Sequence, residues 1–325
     1  MPSTTRHPLI IRLRNWVGDV TLGLPTLQRL ADAGYELRLV GKGWARDLLA
    51  GAGWPVAPQP KALRDRVALL RRLRADARAV DAGFDRREPN AIAFPYSFSS
   101  ALDMRLAGLR AIGHAREARG WLLARSVPRP EARHELEVYW QLGSAFLGAS
   151  APLPSAIGLM PSADQRAAAR ALLERRGLPQ QGFVVICPFA GGTFAGQDKT
   201  WPEFATFAAA DLARLGRPVL VCPGPGEEAL ARERFASAVC LEGIDLGVYA
   251  ALLERAAVMV SNDTGPGHIA AAVGTPLVSV LGPSDPAQWR AWGPSVQLVQ
   301  GQGAWPTRSA VNEAIDAALD ARRPG

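Results

Sequence analysis

Cysteine and histidine are scarce in this chain of 325 residues, which has 3 cysteines and 4 histidines. Cys187, Cys222 and Cys240 do not have the spacing of metal ligands, and each stands among apolar residues. We therefore expect buried, reduced thiols of the kind found in cytoplasmic proteins. A metal centre built from cysteine and histidine is not predicted.

Long hydrophobic runs are also missing. No apolar stretch approaches the roughly 18 residues of a membrane-spanning helix, and the N-terminal segment resembles a strand rather than a signal peptide. Three ligand-binding patterns are absent as well: D-x-D, the Walker A loop G-x-x-x-x-G-K-[ST], and G-x-G-x-x-G after a strand. These absences disfavour a metal–diphosphate site, a P-loop enzyme and a dinucleotide dehydrogenase, and they favour chemistry without a metal or cofactor.

Positive charge is concentrated in one half of the chain. Residues 1–155 contain 23 Lys and Arg against 14 Asp and Glu, a balance of +9, whereas residues 156–325 contain 14 against 16, a balance of −2. Such an imbalance favours an anionic partner for the first half.

Strand-like and helix-like segments alternate along the chain, which indicates parallel sheets with crossover helices. The alternation stops at "GASAPLPSAIGLMPS" (148–162), a segment typical of a linker, and then resumes. We therefore predict an α/β protein with two facing Rossmann-like domains, residues 1–155 and 156–325, and a ligand cleft between them. A final helix at about 308–322 is expected to pack back on the first domain. The predicted strands are 9–13, 36–40 and 91–94 in the first half and 184–187, 218–222, 258–261 and 277–281 in the second.

The segment "NDTGPGH" (262–268) lies on a strand-to-helix turn. The N-terminus of a helix presents unpaired N–H groups that suit a diphosphate. Gly265 allows close approach of the backbone, Thr264 adds a hydroxyl and His268 a ring N–H, while Asp263 is better suited to accept hydrogen bonds from sugar hydroxyls. The alternative is a helix N-cap in a tight turn without a ligand.

A second phosphate-suited loop, "PFAGGTFAGQDKTWPEFA" (188–205), follows another predicted strand. The glycine pair and Thr193 are suited to cradle phosphate, and Lys199 supplies a compact positive charge. The alternative is a flexible loop with a solvated lysine.

Asp19 opens a predicted helix in "RNWVGDVTLGLPTLQRL" (14–30) of the basic half. We interpret it as a general base for an acceptor hydroxyl. A helix N-terminus lowers the pKa of a carboxyl group, an effect that burial against Trp16 would oppose. The alternative is an aspartate that only complements the helix dipole.

The arginine-rich segment 61–78 is predicted to be a helix, and such a helix most often presents a solvated face. Because no aromatic residue interleaves with the arginines, a nucleic-acid surface is disfavoured. An anionic lipid head group fits the charge of this half better.

The three motifs around Asp19, Lys199 and Asp263, in this order and spacing, resemble glycosyltransferase family 9, the ADP-heptose:lipopolysaccharide heptosyltransferases. "FPYSFSSAL" (94–102) and "IGHAREARGWLL" (112–123) are most similar to the heptosyltransferase II branch. The resemblance implies a GT-B fold, inversion without a metal, an ADP-L-glycero-D-manno-heptose substrate, and an acceptor of lipid A bearing Kdo. It also implies a location at the cytoplasmic face of the inner membrane.

The resemblance also implies roles for single residues. Asp19 matches the catalytic base, and Lys199 matches the contact to the donor phosphate. The other matching positions are Asp263 beside the heptose, Thr193, Thr264, Gly265 and His268 at the phosphates, Glu228 at the ribose, Ile244 at the adenine, and Lys61 and Arg64 at the acceptor. Other nucleotide sugars or acceptors, a sugar-nucleotide epimerase on the same fold, and a non-catalytic binder are the alternatives.

Overall fold

The computed structural model of the chain describes residues 7–191, 193–194, 197–282, 285–302 and 304–321, with the main chain alone for 193–194 and 197–198. It divides into two compact units. Unit 1 comprises Met1–Leu49 and Gly53–Pro154, and unit 2 comprises Ala50–Ala52 and Ser155–Gly325.

Unit 1 contains one sheet of six parallel strands in the order β3-β2-β1-β4-β5-β6. Its strands are β1 (His7–Arg12), β2 (Tyr35–Gly41), β3 (Val56–Pro58), β4 (Ala91–Ala93), β5 (Ala111–His114) and β6 (Arg125–Val127). Its α-helices are α1 (Val17–Asp32), α2 (Trp44–Leu48), α3 (Leu63–Val80), α4 (Phe98–Leu106) and α5 (Glu135–Leu147). Five consecutive residues of β1 are buried, as expected for a central parallel strand that is covered on both faces.

Helices α1 and α5 pack against each other. Gly143 of α5 makes this approach close, because a Cβ atom there would lie 2.6 Å from the Cγ2 atom of Thr26 in α1. On α3 and α4, apolar residues such as Val67, Leu70 and Met104 join a common core with the sheet.

Unit 2 repeats the architecture with strand order β11-β10-β7-β12-β13-β14, again all parallel. Its strands are β7 (Val184–Cys187), β10 (Val219–Val221), β11 (Val239–Cys240), β12 (Val258–Asn262), β13 (Leu277–Leu281) and β14 (Val296–Gln300), with the antiparallel pair β8 (Thr193–Phe194) and β9 (Gln197–Asp198) apart from the sheet. Its helices are α6 (Ala163–Arg175), α7 (Phe204–Ala210), α8 (Glu228–Arg234), α9 (Leu246–Leu253), α10 (Gly265–Ala272), α11 (Pro286–Trp289) and α12 (Arg308–Asp320). Helix α12 packs on β12, β13 and β14 within its own unit.

The α/β class and the doubly wound sheets are confirmed. Strands β7 and β13 have the predicted bounds, and the predicted arginine-rich helix is found two residues later, as α3. Helix α7 begins three residues after Trp201, a buried core residue that packs on Phe204 and Phe207. Helix α5, which the sequence analysis did not predict, turns out to line the candidate site.

Of the three cysteines, Cys187 is buried, and burial raises the pKa of its thiol to about 12. Cys222 and Cys240 are only partly buried, so the expectation of burial holds fully for one thiol. Among the described residues, no helix combines the length and apolar character needed to cross a bilayer.

Candidate functional site

The predicted donor-binding residues lie at one edge of the sheet of unit 2. Lys199 follows β7, Glu228 follows β10, Ile244 follows β11, and Asp263 follows β12. These four strands are neighbours in the sheet, and β7 and β12 flank the point where the strand order reverses. Ligands of doubly wound sheets bind at such a point, beyond the carboxyl ends of the strands.

Lys199 and Asp263 meet at this switch point. The Nζ atom of Lys199 lies 3.5 Å from the Oδ2 atom of Asp263, and both side chains are partly exposed, 24% and 12%. The ion pair places a cation next to the carboxylate, which reduces the repulsion that Asp263 alone would exert on a phosphate.

Helix α10 begins directly behind this pair. Thr264 is its N-cap residue with extended backbone, and its side chain makes no capping hydrogen bond to the helix. Gly265 is the first helical residue, and His268, in the first turn, is 7% exposed. Since the Thr264 hydroxyl does not cap the helix, the structure does not support the alternative in which Thr264 serves as a side-chain cap.

Asn262 ties the segments of this site together, a role that the sequence analysis missed. It is fully buried at the end of β12, where its Oδ1 atom accepts a hydrogen bond from the main-chain N–H of Trp201 at 3.0 Å. Its Nδ2 atom donates to the carbonyl oxygen of Pro188 at 2.6 Å. The only sequence signal is an amide residue at the end of an otherwise apolar strand.

Two of the remaining predicted donor contacts, Glu228 and Ile244, lie further along the same edge of the sheet. The Oε2 atom of Glu228 accepts a hydrogen bond from the N–H of Gly226 at 2.8 Å, so this carboxylate shapes the loop after β10. Ile244 is half-buried in the loop before α9. The side chain of Thr193 lies outside what the structure describes.

In unit 1, the predicted base Asp19 occupies the first turn of α1, beyond the carboxyl end of β1. Its side chain is buried, and its Oδ1 atom accepts a hydrogen bond from the Tyr139 hydroxyl at 3.2 Å. Burial against Trp16, the possibility raised by the sequence, is not observed, because Trp16 is 70% exposed. Tyr139 of α5 contacts the carboxylate, because α5 packs against α1 and brings the Tyr139 hydroxyl to Asp19.

The charge state of Asp19 results from competing effects. Burial raises the pKa of Asp19 to about 6, while Arg14, whose Nε atom is 3.4 Å from the Oδ2 atom, lowers it. Glu135 raises the pKa further, and the hydrogen bond from Tyr139 lowers it. Desolvation therefore outweighs the attraction of the nearby cation, and the carboxyl group has a pKa close to neutral pH.

A second buried carboxylate, Glu135, lies beside this group and was not predicted. It is fully buried as the first residue of α5, and its Oε1 atom accepts from the Nη1 atom of Arg14 at 2.9 Å. Its Oε2 atom accepts from Arg129 at 2.8 Å, and Tyr96 donates to Oε1 through a short hydrogen bond. Sequence reasoning could not find it, because two of its three partners, Arg14 and Tyr96, come from distant segments.

The predicted acceptor residues Lys61 and Arg64 are exposed at the start of α3, after β3. They share the carboxyl edge of the sheet with Asp19, but β2 lies between β3 and β1. Two strand spacings separate these strand ends, or roughly 10 Å. The proximity of Asp19 to the residues of unit 2 remains a prediction.

The described residues contain no group of three His, Cys, Asp or Glu side chains arranged to hold a metal ion. The polar groups at the edge of unit 2, a lysine, the hydroxyl of Thr264 and the start of a helix, are instead those that bind an anion.

Comparison with known proteins identifies the family. The model of glycosyltransferase family 9 (heptosyltransferase) matches residues 77–315, which is more than two thirds of the chain. The chain belongs to glycosyltransferase family 9. The family match includes Lys199 and the Asp263–His268 turn, whereas Asp19 lies before its first matched residue.

Solved structures of similar proteins have the same fold. The ADP-heptose lipopolysaccharide heptosyltransferase II of Escherichia coli is 23% identical, with a TM-score of 0.76 over 97% of this chain and 99% of that one. The Escherichia coli heptosyltransferase WaaC with ADP is 24% identical, with a TM-score of 0.71 over 96% and 99%. These likenesses establish the GT-B architecture for this family 9 chain.

A curated relative is similar over a shorter region. Lipopolysaccharide heptosyltransferase 3 of Escherichia coli is 34% identical over 121 residues, which are 34% of this chain and 34% of that protein. The match therefore spans about a third of the relative's length.

Proposed function

We propose that this protein is an inverting glycosyltransferase that moves a heptose from ADP-L-glycero-D-manno-heptose to the inner core of lipopolysaccharide. The family and the names of its similar proteins support the class of reaction. The observation that carries the mechanism is Asp19, a buried carboxyl group beyond the end of β1 whose pKa is raised to about 6.

In the proposed reaction, Asp19 accepts the proton of an acceptor hydroxyl as the oxygen attacks the anomeric carbon of the donor. The bond between that carbon and the diphosphate breaks on the opposite side, and its electron pair leaves with ADP. Displacement in line inverts the configuration at the carbon. A base with a pKa near the operating pH is both largely ionised and strong enough to take the proton.

The edge of unit 2 suits the leaving ADP. Lys199 and the N–H groups at the start of α10 are positioned to stabilise negative charge on the diphosphate, and we propose that they do so without a metal. Asp263 is then free to accept hydrogen bonds from heptose hydroxyls, with Glu228 and Ile244 at the nucleoside. The WaaC structure with ADP supports a nucleotide of this type.

For the acceptor we propose an anionic lipid A–Kdo core held by Lys61 and Arg64, and contact with the inner face of the inner membrane. The charge of α3 and α4 supports this, because their exposed arginines outnumber their exposed aspartates five to two. The arginines are Arg64, Arg71, Arg72, Arg78 and Arg105, and the aspartates are Asp65 and Asp76. Three exposed apolar side chains accompany them, Phe98, Leu106 and Trp121. The rings of Phe98 and Trp121 pack together, with their centroids 6.1 Å apart. Basic and aromatic side chains together favour an anionic bilayer surface.

The two halves of the site are separable by mutation. Asp19→Asn is expected to lower heptose transfer at least about a hundredfold and leave ADP affinity unchanged, because it removes the base alone. Lys199→Ala is expected to weaken ADP binding about tenfold or more, since a charge-assisted contact is lost. Calorimetry with ADP and an assay of ADP release with donor and acceptor measure both.

Two control variants complete this experiment. Asp32→Asn, at the exposed end of α1, and Lys42→Ala, in unit 1, should leave transfer and ADP binding, respectively, at wild-type values. Full transfer by Asp19→Asn would refute the assignment of Asp19 as the base. Stabilisation by UDP-, GDP- or TDP-sugars but not by ADP-heptose, in a thermal-shift panel, would refute the donor.

A further inference from the structure

Glu135 is the most deeply buried charged side chain near Asp19. A buried carboxylate is stable only when its partners compensate for the lost hydration. Glu135 has three such partners from three separate segments: Arg14 before α1, Tyr96 after β4, and Arg129 before α5. None of these partners is adjacent to it in sequence, so the arrangement is a feature of the folded unit.

Arg14 is shared between two carboxylates. Its Nη1 atom lies 2.9 Å from Glu135, while its Nε atom lies 3.4 Å from Asp19. The ring of Tyr96 packs under the guanidinium group, with its centroid 4.5 Å from the Cζ atom. The shorter contact of Arg14 is therefore the one to Glu135, and its contact to Asp19 is longer.

The bidentate arrangement, in which a guanidinium binds one carboxylate through two parallel hydrogen bonds, is the strongest form of this ion pair. Such a pair on Asp19 would neutralise the carboxylate and make it a poor proton acceptor. In the observed geometry the Nη1 atom binds Glu135 at 2.9 Å, and the 3.4 Å contact from Nε to Asp19 is longer than the roughly 2.7–2.9 Å of a charge-assisted hydrogen bond.

We propose that Glu135 is a positioning residue of this enzyme: it withholds Arg14 from a full ion pair with Asp19, so that Asp19 keeps its basicity. The inference rests on the proposed role of Asp19 as the base. The direction of the electrostatics agrees, because Arg14 lowers the pKa of Asp19 and Glu135 raises it.

Other groups that face this cluster include Tyr139, Arg129 and His114, together with Arg119, which interacts electrostatically with Arg14 and Tyr96, and Arg116, whose Cζ atom lies 5.7 Å from the centroid of the Tyr96 ring. Tyr139 donates to Asp19 and stays protonated, since burial raises its pKa far above the ordinary value. Burial lowers the pKa of His114, which faces the carbonyl oxygens of Pro128 and Val138, so that this ring is neutral at neutral pH. Arg129 remains charged across the working range.

The test measures kcat/KM for heptose transfer as a function of pH, whose acidic limb reports the ionisation of the base. Glu135→Gln removes the negative charge and releases Arg14 towards Asp19, so we expect the limb to move to lower pH by about one unit. The rate on the plateau should fall several-fold, because the base is weaker. Arg14→Gln removes the cation, and its limb should move in the opposite direction, to higher pH.

Glu137→Gln is the matched control, because Glu137 lies on the same helix but pairs at 3.6 Å with the exposed side chain of Arg133. It should leave the limb in place. A fall in melting temperature of Glu135→Gln with an unmoved limb would mean a purely structural role and would overturn the proposal. If Glu135→Gln does not fold, Arg14→Gln provides the test. The proposal is then overturned if the acidic limb of Arg14→Gln does not move to higher pH.

Failure of this inference is distinguishable from failure of the proposed function. If Asp19→Asn loses transfer but the acidic limb is unmoved in both Glu135→Gln and Arg14→Gln, only the role of Glu135 is overturned. Transfer that persists in Asp19→Asn overturns the base assignment and the role of Glu135 together.

Discussion

The carboxyl group of Asp19 binds its proton more tightly in the folded protein than in the unfolded chain, because burial raises its pKa to about 6. A carboxyl group whose pKa is raised on folding stabilises the protein below its unfolded pKa of about 3.9. That contribution is lost as the pH rises to about 6, and above this value the folded protein bears the cost of a desolvated charge. Burial of Asp19 therefore lowers stability at neutral pH, at the position of the proposed base.

Asp19→Asn is therefore expected to be more stable than the wild type, and increasingly so from pH 5 to pH 7.5. The gain should grow by about 1–1.5 kcal/mol over this interval, because the neutral amide has no charge to desolvate. Denaturant unfolding of both proteins at the two pH values measures it. Asp32→Asn, at an exposed position of the same helix, should show no such growth, and a constant difference for Asp19→Asn would contradict the argument.

Strand β12 and helix α10 form the element that presents Asp263 and the start of the helix. Gly267 lets the first turn of α10 lie close to the strand, since a Cβ atom there would be 3.3 Å from the Oγ atom of Ser261. Asn262 then links this element to the segments after β7 through Trp201 and Pro188. The geometry of the Lys199–Asp263 pair depends on this buried amide.

Asn262→Ala is expected to destabilise the protein by about 1–3 kcal/mol, since the buried N–H of Trp201 and carbonyl of Pro188 lose their partner. ADP binding should weaken as well, because Lys199 lies two residues before Trp201. Thermal or denaturant unfolding and calorimetry with ADP measure the two effects. Asn312→Ala, half-buried on α12, should leave ADP affinity unchanged, and an unchanged ADP affinity in Asn262→Ala would refute the positioning role.

In unit 1, helix α5 positions groups around Asp19, as Asn262 positions segments in unit 2. Glu135 and Tyr139 are four residues apart and therefore lie on the same face of the helix, one turn apart. Tyr139 donates a hydrogen bond to Asp19 and Glu135 accepts one from Arg14, so one helix supplies two groups that influence the pKa of Asp19.

For the molecule as a whole, the charge is distributed unevenly: +9 for residues 1–155 and −2 for residues 156–325. Within unit 1, exposed arginines lie on α3 and α4, and the exposed aromatic side chains of Phe98 and Trp121 lie on α4 and on the segment after β5. We refer to these residues as the α3–α4 surface.

Charge reversal on the α3–α4 surface, Arg71→Glu with Arg72→Glu, should weaken binding to vesicles containing an anionic phospholipid by at least about tenfold. Transfer to a soluble, delipidated acceptor should be affected much less. Vesicle co-sedimentation at physiological ionic strength measures the binding. The control pair Arg170→Glu and Arg175→Glu makes the same change of charge on exposed positions of α6. An equal loss in both pairs would indicate a non-specific effect of net charge and contradict this surface.

Much of the architecture was predictable from local patterns. Continuous apolar runs such as β7 and β13 predict buried parallel strands, and alternation with helices predicts doubly wound sheets. The positions of Asp19, Lys199 and Asp263 after strand ends follow from the same patterns, because parallel strands present their carboxyl ends at one edge. Short strands such as β11, with two residues, carry too little periodicity to be predicted.

The chemistry of Asp19 was not predictable in the same way. Its pKa depends on burial and on charges a few ångströms away, and Tyr139 lies 120 residues further along the chain. Burial against Trp16 was a possibility that the sequence could not test, and in the structure α5 brings Tyr139 to Asp19 while Trp16 is exposed. The local sequence pattern determines which residues lie at the carboxyl ends of the strands. Long-range packing defines which of them share a proton or a cation, because electrostatic interactions depend on distance in space and not on separation in sequence.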